Sequence, residues 1–469
     1  MPELITISPI DGSEVARRAY ADEHHIAATL HRARLAQRDW RQVSLLERMA
    51  VLSRAVDAFS ANKEAIAEAI TRQIGRPIRY SPNEVAGFDT RARHMMAIAP
   101  EALADIHPTP IEGFNRFIRR EALGVVLVVA PWNYPLLTAV NAIIPALMAG
   151  NAVILKHSAQ TPLCAEQIHA AFVAAGLPAG VFQYLHTDHA STQKLIQAKE
   201  IKHVCFTGSV AGGIAVEQAA AGRFIGVGLE LGGNDAALVR SDADLAHAVD
   251  TLVDGAFFNS GQSCCGTQRI YVHQSVYQEF VGRALALTEQ YVLGNPLDAA
   301  TTLGPVVRVA AANAVRAAEA DALAKGASQI VDTRRFALDD GKGAYLAPRI
   351  FTGVNHQMQL MADECFGPVV GIMPVKNDEE AVRLMNDSPY GLTSAVFSRD
   401  ENVALSLADQ LECGTFFMNR CDYLDPALPW TGIKQTGRGA TLSVLGYDYL
   451  TRPKSFHLKH LTSGDISAF

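Results

Sequence analysis

Gly124-Val125-Val126-Leu127-Val128-Val129-Ala130-Pro131-Trp132-Asn133-Tyr134-Pro135 is the most informative dozen residues in the chain. Residues 125–130 form an unbroken apolar, mostly β-branched run, the pattern of a parallel strand buried on both faces. Pro135 then predicts the opening of a helix that Gly150 ends, following the preference for proline at helix starts and glycine past helix ends. Working outward, residues 152–156 read as the next strand. Thr161-Pro162 predicts a capped helix that stops at Gly176. Further strands are expected at 181–185, 203–206 and 225–230. Strand and helix alternate throughout, which predicts a doubly wound parallel sheet, the usual nucleotide-binding architecture.

Upstream, residues 23–71 read as helical from their apolar spacing. Downstream of Gly232-Gly233 the alternation continues, and a second α/β domain is expected over 233–436. Within it, Ser241/Asp242 predicts the cap of a helix presenting Leu245, Val249, Leu252, Val253 and Ala256 on one face. Residues 101–121 and 445–465 fit neither unit, and their alternation predicts a small accessory sheet. The first domain is then 1–100 plus 122–232.

Of the 469 residues, 49% are apolar and 19% charged, so every domain can bury a core and a disordered chain is excluded. A formal net charge of −7 gives no electrostatic footprint for nucleic acid. The longest apolar runs are strand length, well short of the roughly 20 residues a membrane span needs. No basic-then-apolar segment follows Met1, and seven scattered cysteines without a C-x-x-C read as free thiols. A cytoplasmic location is expected. The 15 histidines show no metal-ligand spacing, so no metal is expected.

Four places carry chemistry. Cys264 follows the glycine-containing loop 259–262, where a thiol exposed in a cleft is a nucleophile and a buried one is inert. Glu230 ends a strand among apolar Leu229 and Leu231. A carboxylate there is either a desolvated general base or a capping or ion-paired side chain. Asn133 is placed to donate to a developing oxyanion, or to cap the following helix. Phe206-Thr207-Gly208-Ser209 suits a phosphate cradle at a helix N-terminus as well as it suits a plain βα turn.

Taken in order, these motifs resemble the aldehyde dehydrogenase superfamily over nearly the whole chain. The set comprises 131–135, Gly150-Asn151 leading to Lys156, 206–209, Glu230-Leu231-Gly232-Gly233, 261–265, Glu364-Cys365-Phe366-Gly367-Pro368 and Lys434-Gln435-Thr436-Gly437-Arg438. The resemblance implies a Rossmann-like cofactor domain, a catalytic domain and a small oligomerisation β-sheet. It implies Cys264 as nucleophile, Asn133 with the Cys264 N–H as oxyanion hole, and Glu230 as the base for a deacylating water. For NAD or NADP it implies Lys156 and Ser158 at the adenosine ribose and Gly208 and Ser209 near the pyrophosphate. Glu364 is implied at the nicotinamide ribose, with Phe366 and Trp132 packing nearby. Tyr134, Leu137, Thr138, Asn141, Ser263, Cys265, Leu424 and Trp430 are implied to line the substrate tunnel.

Two departures from the family pattern matter. Ala159 stands where the family usually has the glutamate that grips the ribose 2′-hydroxyl, so NADP is expected to be accepted. Ala142 stands where many relatives have a lysine near the thiol, which leaves a helix end or the bound nicotinamide to activate Cys264. Thr138 and Asn141 make the tunnel polar. Arg420 facing inward would favour a semialdehyde carboxylate, and Asp422 an amino-aldehyde. The resemblance implies a small aldehyde as partner, a homodimer or homotetramer, and neither membrane nor nucleic acid. Two other readings are a CoA-acylating relative, against which Glu230 argues, and a catalytically silent relative, against which Cys264, Glu230 and Asn133 argue together.

Overall fold

The computed structural model describes residues 3–461. Two open sheets organise it. The first has six strands in the order Gly437–Arg438, Gly226–Glu230, Ile201–Thr207, Val125–Ala130, Ala152–His157 and Phe182–Tyr184. The five that are earliest in sequence run parallel. The sixth, Gly437–Arg438, returns from the second unit and pairs antiparallel with Leu229 and Glu230.

Val125–Ala130 lies at the centre, fully buried, flanked by Ala152–His157 on one side and Ile201–Thr207 on the other. Its alternate residues face different cores. Val126, Val128 and Ala130 pack with Ile143 and Leu147, whereas Val125, Leu127 and Val129 pack with Ile154 and Val204. Both faces being covered is the physical reason for the unbroken apolar run. Strand order reverses at this strand, so the crevice beyond its carboxyl end is where an open α/β sheet binds ligands.

The helices differ from expectation in their boundaries. The region read as one helical stretch is three helices, Glu23–Trp40, Leu45–Ser60 and Lys63–Ile74. A capping box between Ser44 and Glu47 restarts the second. Pro135 does not open its helix, which spans Leu137–Met148. Its first N–H groups are instead taken by the Glu84 carboxylate, at 2.8 Å from Leu136 N and 3.4 Å from Leu137 N. Thr161 precedes helix Pro162–Ala174 without capping it, because its hydroxyl bonds the His157 ring at 2.9 Å. Asp244, not Ser241 or Asp242, caps helix Leu245–Phe257, since Asp242 is engaged by Arg240 and Ser398.

The second sheet has seven strands in the order Ser328–Gln329, Arg349–Thr352, Val369–Val375, Thr267–His273, Asp235–Val239, Thr393–Phe397 and Thr415–Met418. All neighbours are parallel except the first pair. Apart from both sheets, Phe114–Ala122 pairs antiparallel with Thr451–Lys459, and Phe117 stacks on Phe456 at 4.5 Å. Residues 462–465 of the expected accessory segment lie outside the described residues. Among the described residues no helix is long and apolar enough to cross a membrane.

Candidate active site

Helix Leu245–Phe257 runs into a tight reversal in which Asn259, Ser260 and Gly261 all take positive φ, at 52°, 57° and 69°. A Cβ on Gly261 would strike the Gly367 carbonyl, so both backbone angle and space demand glycine there. The turn is locked by side chains that replace missing backbone bonds. Asn259 Nδ2 donates to the carbonyls of Asn133 and Gln262, each at 3.2 Å. Gln262 Nε2 donates to the Asn259 carbonyl at 3.0 Å, and Val307 N donates to Gln262 Oε1 at 2.8 Å. This frame presents Cys264, half-buried, to a cavity. The chain then enters strand Thr267–His273, so no helix begins at the thiol to charge it.

Beneath the frame lies a buried ion pair between Arg76 and Glu84. Arg76 also donates to the Asn133 carbonyl and to Asn259 Oδ1, and its guanidinium covers the Tyr134 ring at 4.6 Å. Removing one partner leaves an uncompensated buried charge, which costs about 3–5 kcal/mol. Glu84→Gln is therefore expected to lower unfolding stability by that amount in urea titration. A loss below about 1 kcal/mol would show that Arg76 finds other acceptors cheaply.

Glu230 ends its strand opposite Thr207 in the parallel register. Its two carboxylate oxygens accept from two hydroxyls, Thr207 Oγ1 at 2.9 Å and Thr441 Oγ1 at 2.5 Å. Among the described residues it neither caps a helix nor forms a salt bridge. Burial raises its pKa above the ordinary 4.5, and the hydroxyls and Arg91 oppose that shift only in part. Asn133 is buried and uses one amide N–H on the Gln262 carbonyl at 3.2 Å. Its amide is not a helix cap, and the second N–H remains available. The Cys264 backbone N–H likewise donates to no acceptor among the described residues. Two unspent donors flanking a thiol are the components of an oxyanion hole.

The cavity holds about 420 Å³ and brings Cys264 and Glu230 onto one surface. Tyr134, Leu137, Thr138 and Asn141 form one part of its wall, and Ser263, Cys265, Leu424 and Trp430 another. Asp422 lines it as well, accepting from Ser263 Oγ at 2.7 Å and Cys265 Sγ at 3.0 Å. Burial raises the pKa of Asp422 above its ordinary value. Arg420 does not line the cavity; it is exposed, with its guanidinium 3.4 Å from the centre of the ring of Tyr423, a lining residue.

The remaining predicted residues lie outside this cavity, on loops at the carboxyl ends of the first sheet and on the facing Glu364 segment. Lys156, near the end of its strand, is buried, and its side chain has no hydrogen bond or ion pair among the described residues. Burial lowers its pKa, and Asp188 is the carboxylate that opposes this. Ser158 is half-buried and accepts from Gln160 N at 3.2 Å, and Ala159 is exposed. Gly208 follows the strand Ile201–Thr207, and Ser209 caps the helix Val210–Ala220. Glu364 reaches across from the second unit to accept from Gly233 N at 3.1 Å. A side chain on Gly232 would collide with its carboxylate. Burial pushes the Glu364 pKa up to about 7. Phe366 sets its ring against Trp132 at 5.7 Å and 84°. A buried cation, a carboxylate bonded at one oxygen and a helix N-terminus are a donor and acceptor set that fits a dinucleotide.

The aldehyde dehydrogenase family model matches residues 2–456 of this chain. The chain belongs to the aldehyde dehydrogenase family. It is 33% identical to the NAD(P)+ succinate semialdehyde dehydrogenase Sad of Escherichia coli K12, over 94% of this chain and 95% of that protein. It is 32% identical to a betaine aldehyde dehydrogenase of Rhizobium leguminosarum bv. trifolii, over 97% and 93%. Among solved structures, the succinic semialdehyde dehydrogenase of Streptococcus pyogenes in complex with NADP+ superposes with a TM-score of 0.92 at 29% identity, covering 97% of this chain and 99% of that one.

Several residues of this aldehyde dehydrogenase's site escape sequence reasoning. Thr207 was visible only as part of a possible phosphate turn. Thr441 reaches Glu230 because the chain returns along Gly437–Arg438, a non-local pairing with no local signal. Glu84 and Arg91 had a faint one. Both are charged residues beside the apolar stripe of Val85, Phe88 and Ala92 in helix Ser81–Ala102, and both are buried.

Proposed function

We propose that this chain oxidises an aldehyde to a carboxylate with NAD or NADP as hydride acceptor, through a covalent intermediate on Cys264. The observation that carries the reading is the shared cavity of Cys264 and Glu230, flanked by the unspent N–H groups of Asn133 and Cys264. In this reading the Cys264 sulfur adds to the aldehyde carbon, and the two N–H groups hold the resulting oxyanion. One such donor typically contributes about 2.7–4 kcal/mol to the transition state. The bound nicotinamide supplies the hydride acceptor, and a thioester remains on Cys264. Glu230 takes a proton from water as that water attacks the thioester, releasing the carboxylate and the thiol.

Lys156 and Ser158 hold the adenosine ribose in this reading, Gly208 and Ser209 approach the pyrophosphate, and Glu364, Phe366 and Trp132 position the nicotinamide side. Residues 1–100 and 122–232 act as the cofactor domain and 233–436 as the catalytic domain. The two-stranded arm of 114–122 and 451–459 serves as the contact between subunits of a homodimer or homotetramer. A dedicated carboxylate base is superfluous when a thiol accepts the acyl group, which disfavours CoA as acceptor. Assay of carboxylate against acyl-CoA products, over a panel of aldehydes, tests the reaction type. Carboxylate formation supports it, and CoA-dependent turnover overturns it.

No carboxylate stands at position 159 to repel a 2′-phosphate. NADP+ is therefore expected to support turnover with kcat/KM within about 100-fold of NAD+, a difference of roughly 2.7 kcal/mol. A larger preference for NAD+ would contradict this, and would point to Asp188 as the replacement carboxylate beside Lys156.

A further inference from the structure

Arg91 stands out in the cavity that holds Cys264 and Glu230. It is the one cation lining that cavity among the described residues. Its side chain comes from helix Ser81–Ala102 and is buried, with 9% of its surface exposed. Yet among the described residues it forms no ion pair with a carboxylate. Only Nη1 is engaged, donating to the Leu137 carbonyl at 3.0 Å and to Asn141 Oδ1 at 3.2 Å. The edge formed by Nε and Nη2 meets no acceptor among the described residues, and neither atom is fully buried.

That edge is the side-on fork by which arginine grips a carboxylate with two parallel bonds. The same protein shows the arrangement at Arg18, whose Nε and Nη2 reach the two oxygens of Glu166 at 2.7 and 2.8 Å. Glu230 and Glu84 act on this buried charge through space, but neither bonds it, and a buried guanidinium with unbonded donors is costly, so the site favours an anion that bonds it directly. The acidic side chains that line the cavity are differently placed. Glu230 has both oxygens occupied by threonine hydroxyls, and Asp422 is bonded to Ser263 and Cys265. Asp254 is exposed. Arg91 is thus the cavity's charged group with unbonded donors, and those donors lie on its Nε–Nη2 edge.

Resting on the proposed oxidation, we infer that the substrate is a short aldehyde carrying a carboxylate at its far end, anchored by the Nε–Nη2 edge of Arg91. Asn141 acts as the positioning residue that fixes the guanidinium by holding Nη1. The anchor comes from a helix remote in sequence from the loop where Arg420 had suggested it.

The test compares three four-carbon aldehydes, namely succinate semialdehyde, butanal and 4-aminobutanal. The wild-type enzyme is expected to show the highest kcat/KM with succinate semialdehyde. In Arg91→Met the ratio of kcat/KM for succinate semialdehyde over butanal is expected to fall about 100-fold, and Arg91→Lys to recover part of it. Calorimetric binding of succinate to the enzyme without cofactor should weaken in step. A ratio unchanged in Arg91→Met overturns the anchor, because a purely structural role would lower both rates together. Should neither variant fold, the wild-type order still decides. Preference for 4-aminobutanal or butanal overturns the anchor while leaving aldehyde oxidation standing, and turnover of none of the three overturns both.

Discussion

Cys264→Ser is expected to lower kcat/KM for aldehyde oxidation by at least about 10⁴-fold while leaving the fold intact. The substitution is nearly isosteric, and the Cys264 side chain takes no part in the hydrogen bonds that hold its loop. A hydroxyl is a far weaker nucleophile than a thiol at neutral pH, and no base bonded to residue 264 would activate it. Thermal melting of the variant should match the wild type within a degree or two, which separates lost chemistry from lost structure. Cys265→Ala provides the control for a neighbouring thiol. Cys265 is buried and lines the cavity with its sulfur bonded to Asp422, a packing or lining place rather than a reacting one in this account, so the variant should keep most activity. Retention of oxidation by Cys264→Ser would remove this residue as the nucleophile.

Glu230→Gln is expected to separate the two halves of the reaction. The amide keeps the shape of the carboxyl and can still accept at one oxygen from Thr207 or Thr441, but it cannot take a proton from water. Acylation of Cys264 should proceed, giving about one equivalent of reduced cofactor per site in the first turnover. Steady turnover should then fall about 10²–10⁴-fold. In the wild type the pH dependence follows from the direction of the Glu230 shift. Burial raises its pKa, so the base is lost on acidification at a pH above the ordinary 4.5. Steady-state kcat should drop through that raised pKa as pH falls, and Glu230→Gln should abolish this limb of the profile. Full turnover in Glu230→Gln would remove the carboxylate as the base.

The parts of the fold that were legible from sequence are those set by local pattern. The central strand Val125–Ala130 is continuous and apolar because both of its faces are covered, and the strands that follow it recur with the spacing of βα units. The loop motifs around Cys264 and Glu230 were legible for a related reason, since glycine, asparagine and proline are forced where backbone turns sharply. Helix starts were misread where a distant side chain supplies the cap. Glu84 satisfies the N–H groups of Leu136 and Leu137 from another helix, and nothing near Pro135 in sequence announces it. The same limit explains Thr441, Arg76 and Arg91. Each acts on the site from an element that tertiary packing alone brings close. Asp422 and Arg420 show the limit at its smallest scale. They are two residues apart in one loop, yet Asp422 lines the cavity, held by Ser263 and Cys265, while Arg420 lies exposed over Tyr423.

The covalent step is open to direct observation. Glu230→Gln mixed with aldehyde and oxidised cofactor, quenched in acid after the first turnover and digested, should yield one peptide heavier by the mass of the acyl group. The account requires that the added mass map to Cys264 and be released by hydroxylamine as a thioester. Unmodified Cys264 after a full burst of reduced cofactor, or the acyl group on any other cysteine, would contradict it.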